Sequence, residues 1–293
     1  MIISWLRDGL GDQMFRYAAG RRLALHLGVE FKICKVWFDK YPEPDPYQLD
    51  VFNIYENFAT AEEVEEIKKL RLSPDLGQEP KDKRFVPETL NYPDNVVLFG
   101  NRFSEKYFMD IADVIRKDFT LKKVSDAARA WEEKIKNDKD VTVSVHFRRS
   151  IYQINDDRSD KVGSPRDREK FMGFMSQNYY KTCLDMLSKK YDNLSLYIFS
   201  DDIDWVKKNF CTKYPMHYVS KSFTSYNTAA EEMMLMSRCQ HHIVANSSFS
   251  WWGAWLDPNP DKMVFAPKYY QNTDEYRGYS PDKPCESWIK VEG

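Results

Sequence analysis

Three short polar clusters carry side chains suited to phosphate and base chemistry: His146-Phe147-Arg148-Arg149, Ser200-Asp201-Asp202 and Asn246-Ser247-Ser248-Phe249-Ser250. A guanidinium grips phosphate oxygens bidentately and neutralises their charge, a role open to Arg148 or Arg149. Serine hydroxyls and backbone N–H groups at a helix start add further anion contacts. A carboxylate accepts two hydrogen bonds from a guanine edge, which offers an N–H and an amino group, so Asp201 or Asp202 suits base selection. Together the clusters fit a nucleoside diphosphate. Each also has a plainer reading. An Arg-Arg pair can be a solvated surface pair, and a strand-end Ser-Asp-Asp can cap a helix. The functional reading therefore depends on all three meeting at one edge.

The surrounding pattern predicts that meeting. Val141, Val143, Val145 and Phe147 alternate with polar residues, as in a strand ending at Arg148-Arg149. A second strand, Leu196 to Phe199, runs into Ser200, and a third, Ile243-Val244-Ala245, runs into Asn246. A fourth, Met263 to Ala266, stops at Pro267. Tyr180, Cys183, Leu184, Leu187 and Tyr191 mark one helix face, and residues 228–239 a further helix. The chain begins with a strand, Ile2 to Leu6, then a glycine loop, Gly9-Leu10-Gly11, and a helix striped by Phe15, Ala19, Leu23 and Leu27. Gly28 is placed as its C-cap, and Val29, Phe31 and Ile33 alternate as the next strand. Thr60 and Glu63 form a capping box opening another helix. Prolines make residues 41–50 a loop; residues 71–95 read as irregular, and 155–170 as a long mobile loop. Strands alternating with helices predict α/β layers with ligands beyond the strands' carboxyl ends. The length, 293 residues, suits two domains, divided near 120–140 into residues 1–130 and 131–293.

Other features exclude whole classes. A net charge of −2 gives no net-charge argument for nucleic-acid binding. No apolar run approaches the roughly 18 residues of a transmembrane helix. The N-terminus lacks a signal peptide's layout, and the five scattered cysteines include no Cys-x-x-Cys pair, so the expectation is a cytoplasmic protein with reduced thiols. The third glycine of a dinucleotide fingerprint falls on Met14, and no Walker pattern occurs. His241-His242 lacks metal-ligand spacing and reads as structural. Met233, Met234 and Met236 read as core. Trp251, Trp252 and Trp255 suit a sugar platform or simple packing equally.

Read in order, several blocks resemble the α-1,2-fucosyltransferases of glycosyltransferase family 11. They are residues 9–18 (Gly-Leu-Gly-Asp-Gln-Met-Phe-Arg-Tyr-Ala), Tyr47-Gln48-Leu49, residues 143–149, Phe199 to Asp202, and Glu232 to Ser237. The most specific is the run from Asn246 to Leu256. The resemblance implies a GT-B-type α/β fold, with two Rossmann-like domains facing across a cleft. Residues 1–130 would be the acceptor side and residues 131–293 the nucleotide-sugar side. It also implies inverting transfer of L-fucose from GDP-fucose to the 2-hydroxyl of a galactose residue, with neither metal nor cofactor. The acceptor would be a galactose-containing glycan or lipid-linked oligosaccharide, which places the protein in the cytoplasm or peripherally at the inner membrane. Arg148 matches the family's pyrophosphate arginine and Arg149 is its neighbour. His146 with Asp201 or Asp202 would contact guanine, and Asn246, Ser247, Ser248 and Phe249 would lie along the phosphates. Gly9, Gly11 and Gln13 would face the donor sugar.

Two departures stand out. Where the family reads His-x-Arg-Arg-x-Asp-Tyr, this chain has Ser150-Ile151-Tyr152. Where the family prefers Gly-Gly-Leu-Gly-Asn-Gln, it has Asp8 and Asp12. If the lost aspartate is the acceptor's base, Asp8 is the candidate replacement; otherwise Asp8 and Asp12 are loop or helix-capping carboxylates. The same loss leaves open another nucleotide sugar, or a non-catalytic binding protein.

Overall fold

A computed structural model describes residues 1–41, 46–69, 77–149, 172–220, 222–225, 227–271 and 277–293. The chain divides into two compact units, Met1–Lys123 and Val124–Gly293. The loop expected at 155–170 and the altered Ser150-Ile151-Tyr152 lie outside the described residues, as do parts of 41–50 and 71–95.

The first unit is built on a parallel sheet in which β1 (Ile2–Trp5) lies between β2 (Phe31–Cys34) and β3 (Val96–Leu98). Helix Leu10–Leu27 crosses from β1 to β2 and ends on Gly28 at φ 65°, the left-handed C-cap that glycine adopts without a Cβ clash. It starts one residue after Gly9, so Gly11 lies inside the helix and not in the glycine loop that its spacing suggested. The helix approaches β1 at Gly20, where any Cβ would collide with the Ser4 hydroxyl and the Phe31 ring. The capping box is formed: the Thr60 N–H donates to Glu63 at 2.9 Å and the Glu63 N–H to Thr60 Oγ1 at 3.2 Å.

The second unit holds a six-stranded, all-parallel sheet. In sheet order its strands are β6 (Met216–Tyr218), β5 (Leu194–Ser200), β4 (Val141–Phe147), β7 (His241–Ile243), β8 (Val264–Pro267) and β9 (Ile289–Val291). Every residue of β5 is buried, because both sheet faces are covered. Leu196 and Ile198 join a core with Leu184 and Leu187 of helix Gln177–Ser188. Tyr197 and Phe199 turn to the other face, against Ala128, Ile135, Leu235 and Met236. Ala128 and Ile135 belong to helix Asp126–Lys136, so that helix packs wholly with the second unit. A cut after residue 130 would split it; the division falls between Lys123 and Val124.

Helix Ser248–Leu256 carries the tryptophans, and all three are buried. Trp251 Nε1–H donates to the Lys283 carbonyl at 2.7 Å, and the rings pack on one another. They are core, which settles their two readings against a sugar platform. Gly253 of the same helix lets Met236 of helix Thr228–Met236 pack at contact distance, since a Cβ would lie 2.8 Å from Met236 Cβ. Gly253→Val is therefore expected to destabilise the protein by about 1–3 kcal/mol through overpacking, read as a lowered urea midpoint with unchanged m-value.

Candidate functional site

The sheet order decides which clusters meet. β5, β4 and β7 are consecutive neighbours and parallel, so their carboxyl ends lie side by side. Phe147, Ser200 and Ile243 end these strands, and the three polar clusters follow on one rim. Sequence separations of about fifty residues thus become neighbouring strand ends.

Asp201 joins two of them. One oxygen pairs with Arg148 Nη1 at 2.9 Å; the other accepts the backbone N–H of Arg149 at 2.7 Å. Arg148 and Asp201 are both partly open to solvent. The Arg149 guanidinium takes a different route. It stacks with its Cζ 3.8 Å from the Trp205 ring centre and 4.3 Å from that of Phe174. Such a stack holds a planar cation rigidly. Asp202 is a helix cap: its Oδ1 accepts the Trp205 N–H at 3.0 Å and so opens helix Ile203–Asn209. The plainer reading of Asp202 is thus present in the structure, whereas Asp201 is an ion-pair partner.

His146, the next-to-last residue of β4, is buried against the Phe249 ring, with centroids 5.7 Å apart, and its Nδ1 has no hydrogen-bond partner. Burial pushes its pKa down to about 4, an effect the Arg148 charge reinforces and Asp201 opposes. The ring is neutral at pH 7, with a buried ring nitrogen aimed at no protein group. On the β7 side, Ser247 Oγ caps helix Ser248–Leu256 by accepting the Phe249 N–H at 3.3 Å. Ser247, Ser248 and Phe249 are half-buried at this helix start, where backbone N–H groups favour an anion. Asn246 turns away: its amide donates to the carbonyls of Met172 (2.9 Å) and Gly173 (3.1 Å), which fixes the chain entering helix Gln177–Ser188. Its contribution to a ligand would come through that positioning.

One carboxyl at this end of the sheet escapes the motif-based reading. The Ser200 N–H donates to Ser220 Oγ at 3.1 Å, and Ser220 donates to Glu232 Oε2 at 2.6 Å. Burial raises the Glu232 pKa to about 7, against the lowering effect of that hydrogen bond. Neighbouring Glu231 is fully buried and holds Ser125 and Ser225. No spacing rule separates these two glutamates; only the fold does.

The first unit has its own polar edge. Arg16, buried on helix Leu10–Leu27, donates to the carbonyls of Trp5 (3.2 Å) and Phe99 (2.8 Å) and pairs with Asp8 at 3.2 Å and with Asn101. Burial lowers its pKa to about 10, with Asp8 opposing. Asp8 also meets Arg7 at 3.2 Å and adopts φ 65°, a left-handed conformation that costs a non-glycine residue roughly 1–2 kcal/mol. Gln13 is a clamp. Its amide donates to the carbonyls of Asp8 (2.8 Å) and Pro46 (2.9 Å), and its oxygen accepts the Gln48 N–H at 3.0 Å. Gly9 caps the helix and Gly11 is buried within it, so these glycines shape the Asp8 turn.

His241 and His242 both lie in β7, buried. His242 bridges Ser144 Oγ at 2.8 Å and Asp257 at 3.0 Å inside the sheet, a structural chain with no open face. Among the described residues, no group of three or more His, Cys, Asp or Glu could hold a metal ion, and no helix is long and apolar enough to cross a membrane.

The sequence model of Glycosyl transferase family 11 matches residues 85–291, well over half of the chain. An Escherichia coli alpha-1,2-colitosyltransferase is 29% identical over 100% of this chain and 99% of its own length. The E. coli O-antigen biosynthesis glycosyltransferase WbnK is 26% identical over 98% of this chain and 99% of its own. Among solved structures, the fucosyltransferase NodZ from Bradyrhizobium has a TM-score of 0.43 at 16% identity, covering 90% of this chain and 94% of that one.

The buried imidazoles set a pH dependence. His146 and His241 are both held near 4 by burial, so the folded protein stays unprotonated there while the unfolded chain takes up protons from about 6.5 downward. Their contribution to stability is present above about pH 6.5, falls as pH drops, and stops changing below about 4. Urea unfolding of His146→Gln should show a shallower stability loss than wild type between those values.

Proposed function

The chain belongs to glycosyl transferase family 11, and on that premise we propose that it is an inverting α-1,2-fucosyltransferase. It would carry L-fucose from GDP-fucose to the 2-hydroxyl of a galactose residue in a glycan. The observation that carries this reading is the Arg148–Asp201 pair, set beside the unpartnered His146 nitrogen and an open helix start on a single sheet rim. A cation and N–H groups converging there suit a diphosphate leaving group. The acceptor class, a galactose-containing glycan or lipid-linked oligosaccharide, draws support from the O-antigen role in the name of one relative.

In this mechanism the bond between the sugar's C1 and the β-phosphate oxygen breaks as the acceptor oxygen attacks from the opposite face. Negative charge gathers on the departing GDP, where Arg148 and the amides at Ser248 and Phe249 stabilise it electrostatically. The acceptor hydroxyl gives up its proton as the new bond forms. We assign that proton to Asp8, whose carboxylate is oriented by Arg16 and remains about a third exposed. Its backbone strain is the kind retained at functional sites. Residues 131–293 would then hold the donor, and residues 1–130 the acceptor.

A second reading is supported by one specific observation. The colitosyltransferase relative is similar over the whole chain. Colitose is fucose without its 3-hydroxyl, so the same nucleotide site would serve either sugar. Turnover of GDP-fucose against the GDP-linked 3-deoxy sugar, with a β-galactoside acceptor, decides between them; preference for the deoxy sugar would overturn the fucosyl assignment.

Two substitutions test the roles. Arg148→Ala should lower kcat/KM for the donor by about 10²–10³-fold, and lysine should restore only part, because it lacks the planar fork. Asp8→Asn should lower kcat by about 10²–10⁴-fold while leaving GDP affinity unchanged in calorimetry. A loss of GDP affinity instead would remove Asp8 from the role of base.

A further inference from the structure

A nucleotide whose phosphates sit at the start of helix Ser248–Leu256 and against Arg148 has its far end still to be placed. That helix follows β7, and Arg148 follows β4. From β7 the sheet continues through β4 and β5 to β6, three strand spacings, or about 14 Å. An extended nucleoside diphosphate covers a comparable span, so its base falls near the ends of β5 and β6.

Three carboxylates lie on that side. Asp201 already accepts from Arg148 Nη1 and the Arg149 N–H, one on each oxygen. Turning it to a base would release the phosphate-binding arginine. Asp202 accepts the Trp205 N–H, and losing that bond would uncap helix Ile203–Asn209. Glu232 is different. Its printed bond is the hydroxyl of Ser220, which is itself held by the Ser200 N–H at the last residue of β5. A carboxylate has about four lone-pair sites, so one serine leaves room for two further donors. The site is half-buried, where a hydrogen bond to charge gains strength and a mismatched partner is penalised.

Resting on the nucleotide-sugar reading above, we propose that Glu232 is the residue that selects the donor's base, its carboxylate accepting the N1–H and 2-amino hydrogens of guanine. Adenine presents a lone pair at N1 and would face the carboxylate acceptor to acceptor. Hypoxanthine keeps N1–H but lacks the amino group. The raised acidity constant of Glu232, about 7, belongs to a carboxyl kept from water and lacking a cationic partner strong enough to offset burial. A pair of guanine N–H donors would supply that compensation. Ser220 acts as a positioning residue, fixing one oxygen so that the other is presented to the base.

The test is calorimetric titration of the full chain with GDP, IDP, ADP and inorganic pyrophosphate, for wild type and Glu232→Gln. The expected wild-type order is GDP tighter than IDP and IDP tighter than ADP. Glu232→Gln should weaken GDP by about ten-fold or more and bring GDP, IDP and ADP together, while pyrophosphate affinity stays at the wild-type value. Unaltered GDP preference in the variant overturns the assignment, as does an equal loss of pyrophosphate. The wild-type series stands without any variant: indifference among the three nucleotides also overturns it. Failure of wild type to bind any guanine nucleotide is a different result, and it overturns the nucleotide-sugar reading itself.

Discussion

Asp201 is the residue on which the candidate site depends. It takes a guanidinium through one oxygen and a backbone amide through the other, both from the end of β4, while standing at the end of β5. That double contact ties two strand ends together and holds Arg148 at the rim in the absence of any ligand. A partly exposed ion pair contributes little to stability, so its value lies in orientation. Arg149, clamped between Trp205 and Phe174, and Asn246, clamped on Met172 and Gly173, fix the flanks of the same rim. The phosphate-handling side chain is therefore presented by a frame whose other polar groups are already satisfied.

The frame follows from the parallel sheet. Helices cover both faces of β5, so the only openings are at the strand ends, and every parallel strand delivers its carboxyl end to the same side. Buried polar groups at that side mark where a ligand replaces water. The His146 Nδ1 has no protein partner, and Glu232 has a serine where a buried carboxylate is usually met by a cation. The first unit uses the same logic on a smaller sheet. There buried Arg16 gathers the ends of β1 and β3 and orients Asp8, at the cost of a left-handed backbone.

Much of this was legible in the residues. The alternation of β4 and the polar runs at the ends of β5 and β7 are visible as pattern, as are the Thr60–Glu63 box and the Gly28 cap. The three-residue strands β3, β6 and β9 were not, because three residues give no periodicity to read. Gly11 was misplaced because glycine signals a turn, while helix Leu10–Leu27 accommodates it in its first turn. Within the site, residue types were readable but their commitments were not. Asp202 and Gln13 spend their hydrogen bonds on the fold, and Glu232 is set apart from Glu231 only by what surrounds it. Those distinctions arise from burial and partner geometry, which a motif does not encode.

The central claim is that a guanine nucleotide occupies the carboxyl rim of the second unit's sheet. Hydrogen exchange of the full chain with and without GDP tests it directly. The account predicts slowed exchange concentrated at residues 147–149, 200–202 and 246–250, with little change at the β4–β5 sheet interior. Protection confined to other segments, or none at saturating GDP, would contradict it.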